Sequence, residues 1–165
     1  MIYIMQNCNV NATINKEDIN NSYLIITFTC SSIVLKEIEG LFRRYLGSAG
    51  SFAADYRVHF LSGEMEFIHP ERLLSSDATY SSILTWNSVS KMAEQQYHAL
   101  LKDGVDEDVA AQVLPECRCC DGTMYIAAKF LKELYSYDCL SKVGKDCLSM
   151  FFLLKTRLAD VGIDV

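Results

Sequence analysis

Three thiols fall within four positions at Cys117, Cys119 and Cys120, and thiolates are preferred ligands of zinc. A structural zinc site also needs a second pair. No further Cys-x-x-Cys or His-x-His stands at finger spacing, so these cysteines are read as small, partly buried thiols and no metal is expected. His59, His69 and His98 are scattered, and none forms a His-Glu-x-x-His pair. Each reads as a surface or half-buried side chain rather than a ligand or a base. The Gly-x-Ser-x-Gly elbow, the P-loop and the dinucleotide glycine fingerprint are all missing, which removes the usual hydrolase, NTPase and Rossmann readings. The adjacent Arg43 and Arg44 remain. Guanidinium forks suit phosphate, but a pair in the last turn of a helix is also favoured by the helix dipole alone.

The chain that must position these groups has 165 residues, half of them hydrophobic, and only two prolines. That is enough for one substantial core and short for two, so residues 1–165 are expected to form a single domain. A net charge of −6 gives no electrostatic reason to expect nucleic acid or an anionic membrane as a partner. No apolar run approaches the roughly 18 residues of a spanning helix, and the first ten residues lack the pattern of a signal peptide. Seven cysteines, an odd number, suit a reducing compartment better than a disulfide framework. These observations together predict a soluble, cytoplasmic protein.

Residues 1–22 open with an apolar pentapeptide and pass into an asparagine-rich run, which predicts a short terminal strand at best and then a poorly defined loop. The β-branched and aromatic run at 23–29 predicts a strand, either covered on both faces or pairing with another chain. Ser31 or Ser32 can cap a helix with Leu35, Ile38, Leu41, Phe42 and Tyr45 on one face, ending near Gly47. The small residues of 47–56 predict a loop lying close to something. Residues 56–60 and 65–68 read as two short strands around Ser62 and Gly63. A long helix is predicted from Thr79 with Ile83, Trp86, Val89 and Ala93 inward. A further helix is predicted from about Thr123, with Ile126, Phe130, Leu131 and Leu134 inward. A last one, over 141–158, has Val143, Cys147, Met150, Phe151, Leu154 and Leu158 on one face.

Residues 93–115 are the most particular stretch. Tyr97, Leu100 and Leu101 carry the helical spacing forward, and Gly104 supplies a left-handed exit. Asp106 can cap a second helix whose Val109, Ala110, Val113 and Leu114 form a short apolar face before Pro115 ends it. In this order, Tyr97, Leu100, Leu101, Gly104, Val105, Asp108, Ala110, Val113, Leu114 and Pro115 resemble, without a gap, the pattern of the flavin-dependent thymidylate synthases, the ThyX family. Thr27 and Phe28 match that family's Thr-Phe before its first core helix. Phe67, Ile68 and Pro70 resemble its following strand and proline, and Thr123 and Met124 onward resemble its late helices. The resemblance runs from about residue 22 to 158. It implies an α+β fold, a small and mostly antiparallel sheet packed with several helices, in an N-terminally short member.

The family's flavin and deoxyuridylate motif, Arg-His-Arg-x-x-Ser-x-Asn-Glu-x-Ser-x-Arg-Tyr, falls on residues 43–56. Arg43, Ser48 and Tyr56 remain, while Arg44, Tyr45, Gly50, Ser51, Ala53 and Asp55 stand at the other functional positions. Ala111 replaces the arginine of the later Ala-Arg pair, and Ala127 and Lys129 replace a late Asn and Arg. Core and turn positions are kept while phosphate-holding cations are lost, and each charge-assisted bond is worth roughly 1.5–3 kcal/mol. The resemblance therefore implies a divergent, non-catalytic nucleotide-binding or assembly subunit. It would work in an oligomer, a homotetramer or a hetero-oligomer with an active homologue, with FAD binding weak or lost. The alternative is an active flavin-dependent enzyme that methylates or hydroxymethylates dUMP in a rearranged pocket. Candidate flavin contacts are Arg43, Arg44, Ser48 and Tyr56, and candidate nucleotide contacts Arg57 and Lys129; no catalytic residue is assigned.

Overall fold

The computed structural model describes residues 2–13, 22–47, 49–70, 73 and 78–165, and Ser48 lies outside them. The chain divides into two compact units, Met1–Met5 with Arg57–Cys119, and Gln6–Tyr56 with Cys120–Val165. The architecture is α+β, as expected. Among the described residues no helix is long and apolar enough to cross a membrane.

In the first unit, β1 (Ile2–Ile4) pairs parallel with β6 (Glu64–Ile68), which pairs antiparallel with β5 (Phe60–Leu61). Ser62 and Gly63 turn the hairpin with φ of 54° and 84°, the left-handed backbone that a tight two-residue turn requires. Only Phe60 and Leu61 pair on its first arm, so the strand expected over 56–60 is shorter than its residue types suggest. A long helix, Tyr80–Lys102, takes its cap from Thr79, whose side chain accepts from Ser82 N–H. Its buried residues are Ser90 and Tyr97, whereas Val89, expected inward, is exposed. Gly104 exits at φ 82°. The short helix Glu107–Ala110 and a 3-10 turn, Ala111–Val113, follow. Ala110 and Leu114 are buried there with Tyr97, Met65 and Phe67, but Val109 and Val113 face outward.

In the second unit a four-stranded sheet runs in the order β2 (Asn7–Thr13), β3 (Tyr23–Ser31), β7 (Cys119–Ala127) and β4 (Gly50–Asp55). β2 (Asn7–Thr13) pairs antiparallel with β3 (Tyr23–Ser31), in a region read from composition as mostly loop. Its asparagines occupy alternate, exposed positions while Cys8 is buried between them, so the period of two outweighs the low strand propensity of Asn. β3 buries Leu24, Ile26, Phe28 and Cys30 and exposes Tyr23 and Ile25. It is therefore an interior strand with one open face, not one covered on both.

Two further expectations are corrected. The segment read as a loop after Gly47 contains β4 (Gly50–Asp55), paired antiparallel with β7. A Cβ on Gly50 would run into the Tyr125 carbonyl oxygen, so the glycine that suggested a loop marks the close approach of two strands. The helix expected from Thr123 is instead β7 (Cys119–Ala127). Cys120, Gly122, Met124 and Ile126 are buried and Asp121 and Tyr125 exposed, an alternation with period two that a helical reading of the same apolar residues misses. Helix returns only at Leu131–Leu134 and Tyr137–Leu140. One face of the sheet is covered by the helix Ser32–Tyr45, α1 hereafter, capped by Ser31, and by the helix Lys145–Asp160, entered through Gly144. Their Leu35, Ile38, Leu41, Phe42, Met150, Phe151, Leu154 and Leu158 join Leu24, Ile26 and Phe28 in a single core.

Candidate functional site

The retained motif residues stand at the end of α1 and on the strand after it. Arg43 is exposed and its guanidinium donates to Glu39 Oε1 at 2.6 Å, one turn back on the same helix. Tyr56, half-buried against the core, donates its phenol proton to Glu39 Oε2 at 2.8 Å. Burial, then the hydrogen bond to Glu39 and its charge, pushes the Tyr56 phenol well above the ordinary tyrosine range. Sequence reasoning singled out Arg43 and Tyr56 and missed Glu39, which joins them. The signal was present in the i,i+4 spacing of Glu39 and Arg43 on a helix.

Arg44 faces a different recess. It lines a groove of about 190 Å³ with Glu37, Gly40, Leu41, Lys142 and Val143. At the margin of this groove Tyr45, on the motif's third position, donates to Asp138 Oδ2 at 2.9 Å, and Lys142 pairs with Asp138 at 2.8 Å. The Lys142 and Tyr45 hydrogen bonds hold the Asp138 carboxyl below its usual range. Glu37 Oε2 accepts from the N–H of Gly144 at 3.1 Å. Arg44 and Lys142 are thus two cations on one rim, but Lys142 is already paired with Asp138 and the carboxylate of Glu37 lines the same groove. The groove lies below the roughly 300 Å³ at which small-molecule sites begin.

Asp55 carries a further electrostatic consequence. β4 and β7 place it in register opposite Asp121, and directly opposed like charges repel across a ladder. Thr29 Oγ1 donates to Asp121 Oδ1 at 2.8 Å, which accommodates one of the two carboxylates. Lys129 stands exposed on a 3-10 turn, its ammonium 5.1 Å from the centroid of the Phe130 ring. Arg57 belongs to the first unit. Within the second unit Arg43 and Tyr56 are brought together, on a carboxylate, and Arg44 turns to a separate groove. A larger recess of about 500 Å³ is lined by Asn9, Val10, Asn11, Thr27, Arg157, Asp160 and Val161 and includes none of the candidate flavin or nucleotide contacts.

The one retained guanidinium of the motif's start is committed to Glu39, and opposed carboxylates stand at the motif's end.

Comparison with protein-family models and with curated protein sequences yields no match. The fold is similar to that of the UMP/dUMP methylase PolB from Streptomyces cacaoi, whose crystal structure holds 5-Br dUMP. The likeness has a TM-score of 0.61 at 14% identity and covers 84% of this chain and 66% of that one. At that identity it is a likeness of fold, and the chain spans slightly less than two thirds of the methylase's length.

Proposed function

We propose that this chain is a divergent relative of the ThyX-like methylases that acts without catalysis, as a nucleotide-binding or assembly subunit in an oligomer. The observation that carries the reading is the capture of Arg43 and Tyr56 by Glu39. A guanidinium already neutralised by a carboxylate at 2.6 Å must break that pair before it can fork a phosphate, and the gain on binding shrinks accordingly. The facing carboxylates of Asp55 and Asp121 weigh against an anion at the end of the same motif. The likeness of fold to a protein named a UMP/dUMP methylase supports a uridine nucleotide as the ligand class.

The oligomer has two supports. The groove beside Arg44, about 190 Å³, is smaller than the roughly 300 Å³ at which small-molecule sites begin, so a nucleotide held there would need a second copy to cover it. The long helix Tyr80–Lys102 also exposes Leu84 and Met92 on the side away from its buried Ser90 and Tyr97, with Tyr80 and Val89 exposed on its two flanks, apolar positions open to another subunit. The alternative, a flavin-dependent enzyme acting on dUMP with a rearranged pocket, requires Arg43 to leave Glu39.

Native mass spectrometry of the purified chain, alone and with dUMP or FAD, tests these readings together. An oligomer that takes up dUMP and stays colourless with excess FAD is expected. A monomer that binds neither ligand would refute the proposal, and a yellow protein that converts dUMP would establish the alternative.

A further inference from the structure

The first unit brings together three side chains that the sequence keeps apart. On β6 the N–H of Glu66 donates to the His59 carbonyl at 2.9 Å, and two residues on the N–H of Ile68 donates to the Cys117 carbonyl at 2.8 Å. Phe67, between them, bridges Arg118 in antiparallel fashion. N–H groups two residues apart on a strand point to the same edge, so His59 and the segment entering β7 both run along that edge beside Glu66. Donor atoms of His59, Glu66 and Cys119 consequently all lie within 4.8 Å of one another, and His59 Nδ1 stands 3.8 Å from Cys119 Sγ. Cys119 is fully buried; His59 and Glu66 are half-buried.

We propose that His59, Glu66 and Cys119 form a binding site for a transition-metal dication with the ligand preferences of zinc. One imidazole nitrogen, one carboxylate oxygen and one thiolate are a borderline-soft set, which suits zinc or cobalt and not magnesium or calcium. Three protein ligands leave a fourth tetrahedral position for water or an incoming ligand, the arrangement of open rather than structural sites. Tetrahedral bonds of about 2.0 Å to nitrogen and 2.3 Å to sulfur separate those donors by about 3.5 Å, so the 3.8 Å contact needs only a small closure. Charge also balances: carboxylate and thiolate cancel the dication, and a neutral group is far less costly to half-bury than a charged one. As the metal–sulfur bond forms, the Cys119 thiol releases its proton to solvent, while His59 binds through Nδ1 and keeps its proton on Nε2.

No spacing motif announces this trio, because His59 and Cys119 are 60 residues apart and β6 supplies the third ligand. Of the three clustered thiols only Cys119 takes part. Cys117 interacts with the Ser90 hydroxyl, and Cys120 is buried in the core of the second unit.

The test is titration of the full chain, freed of metal by chelation, with Co²⁺ and then Zn²⁺. A single equivalent of Co²⁺ should give the intense visible bands of tetrahedral cobalt and a near-ultraviolet thiolate-to-cobalt charge-transfer band, both lost on adding Zn²⁺. Calorimetry in buffers of different ionisation heat should read release of about one proton per metal. Glu66→Gln and His59→Ala should each weaken binding by about tenfold or more, a ligand being worth at least what its outer partners are worth. Cys117→Ser should retain the charge-transfer band and Cys119→Ser should lose it. Since Cys119 is fully buried, circular dichroism checks that variant for folding, and the two half-buried positions decide the matter if it fails to fold. A cobalt spectrum without a thiolate band, loss of the band in Cys117→Ser, or unchanged affinity in both Glu66→Gln and His59→Ala would overturn the assignment.

Discussion

The phenol of Tyr56 donates to Glu39 Oε2 at 2.8 Å while the other oxygen of that carboxylate holds Arg43. Replacing Glu39 by Gln should therefore act at both ends. The Tyr56 phenol should titrate closer to the ordinary value of about 10, because the carboxylate is removed while burial, the largest cause, and the weaker effects of Cys120 and Cys30 remain to raise it. Ultraviolet difference titration reads that change against the other tyrosines. Arg43→Ala should cost at most about 0.5 kcal/mol in urea unfolding, as an exposed i,i+4 pair is worth little. An unchanged Tyr56 titration in Glu39→Gln would show that the hydrogen bond is not held in solution.

Gly50 faces the backbone of β7, and a methyl group there meets the Tyr125 carbonyl oxygen, which belongs to the ladder and cannot swing aside. Gly50→Ala should lower stability by about 2–3 kcal/mol, the upper range for an overpacked site. Gly40→Ala, on a helix with nothing within 4 Å of the new methyl, should be neutral or slightly stabilising. Denaturant midpoints of the pair measure the contrast.

Burial pushes the thiols of Cys8 and Cys117 from 9.0 up to about 11, and burial likewise raises the Cys147 thiol and the Tyr135 phenol. All four are neutral below their unfolded values, so their contribution to stability is complete at neutral pH. From about pH 9 the unfolded chain ionises its thiols while the fold still holds Cys8 and Cys117 protonated to about 11. Stability should accordingly fall across that interval. Thermal melting at stepped pH should show the decline, and Cys8→Ala should make it shallower.

Light scattering coupled to size exclusion should report more than one chain per particle, and Met92→Glu should shift the population towards the monomer. A charge on an exposed helix face leaves the isolated fold nearly undisturbed and is costly only where a second subunit covers it. Wild-type protein running as a monomer would remove the assembly reading.

The helices that border the core were largely legible. Ser31 and Thr79 cap where side chains alone indicated, and Leu35, Ile38, Leu41 and Phe42 face inward as their spacing requires. Three strands were not. Asn9 and Asn11 read as turn residues, and the small residues of β4 as a loop. Ile126 was assigned to a helical face although, with Met124, it also fits a two-residue period. In each case local propensity or an ambiguous spacing favoured one structure and pairing with a distant strand imposed another. Val89 failed differently: composition marks a residue as apolar but not which side of a long helix another element will cover. At the candidate site, the positions of Arg43 and Tyr56 could be read from the motif. Their shared bond to Glu39 and the meeting of His59 with Cys119 depend on tertiary geometry, which no short motif encodes.

The pairing of β4 with β7 also limits how the segment Gly50–Asp55 could hold a phosphate. Loops that wrap an anion do so by turning several consecutive amide N–H groups to one concave side. Along a strand successive amides point to opposite edges, and one edge of Gly50–Asp55 is already spent on β7. The segment can offer an anion isolated donors and side chains, never an encircling backbone, so regaining the lost arginines would not by itself restore a cradle there.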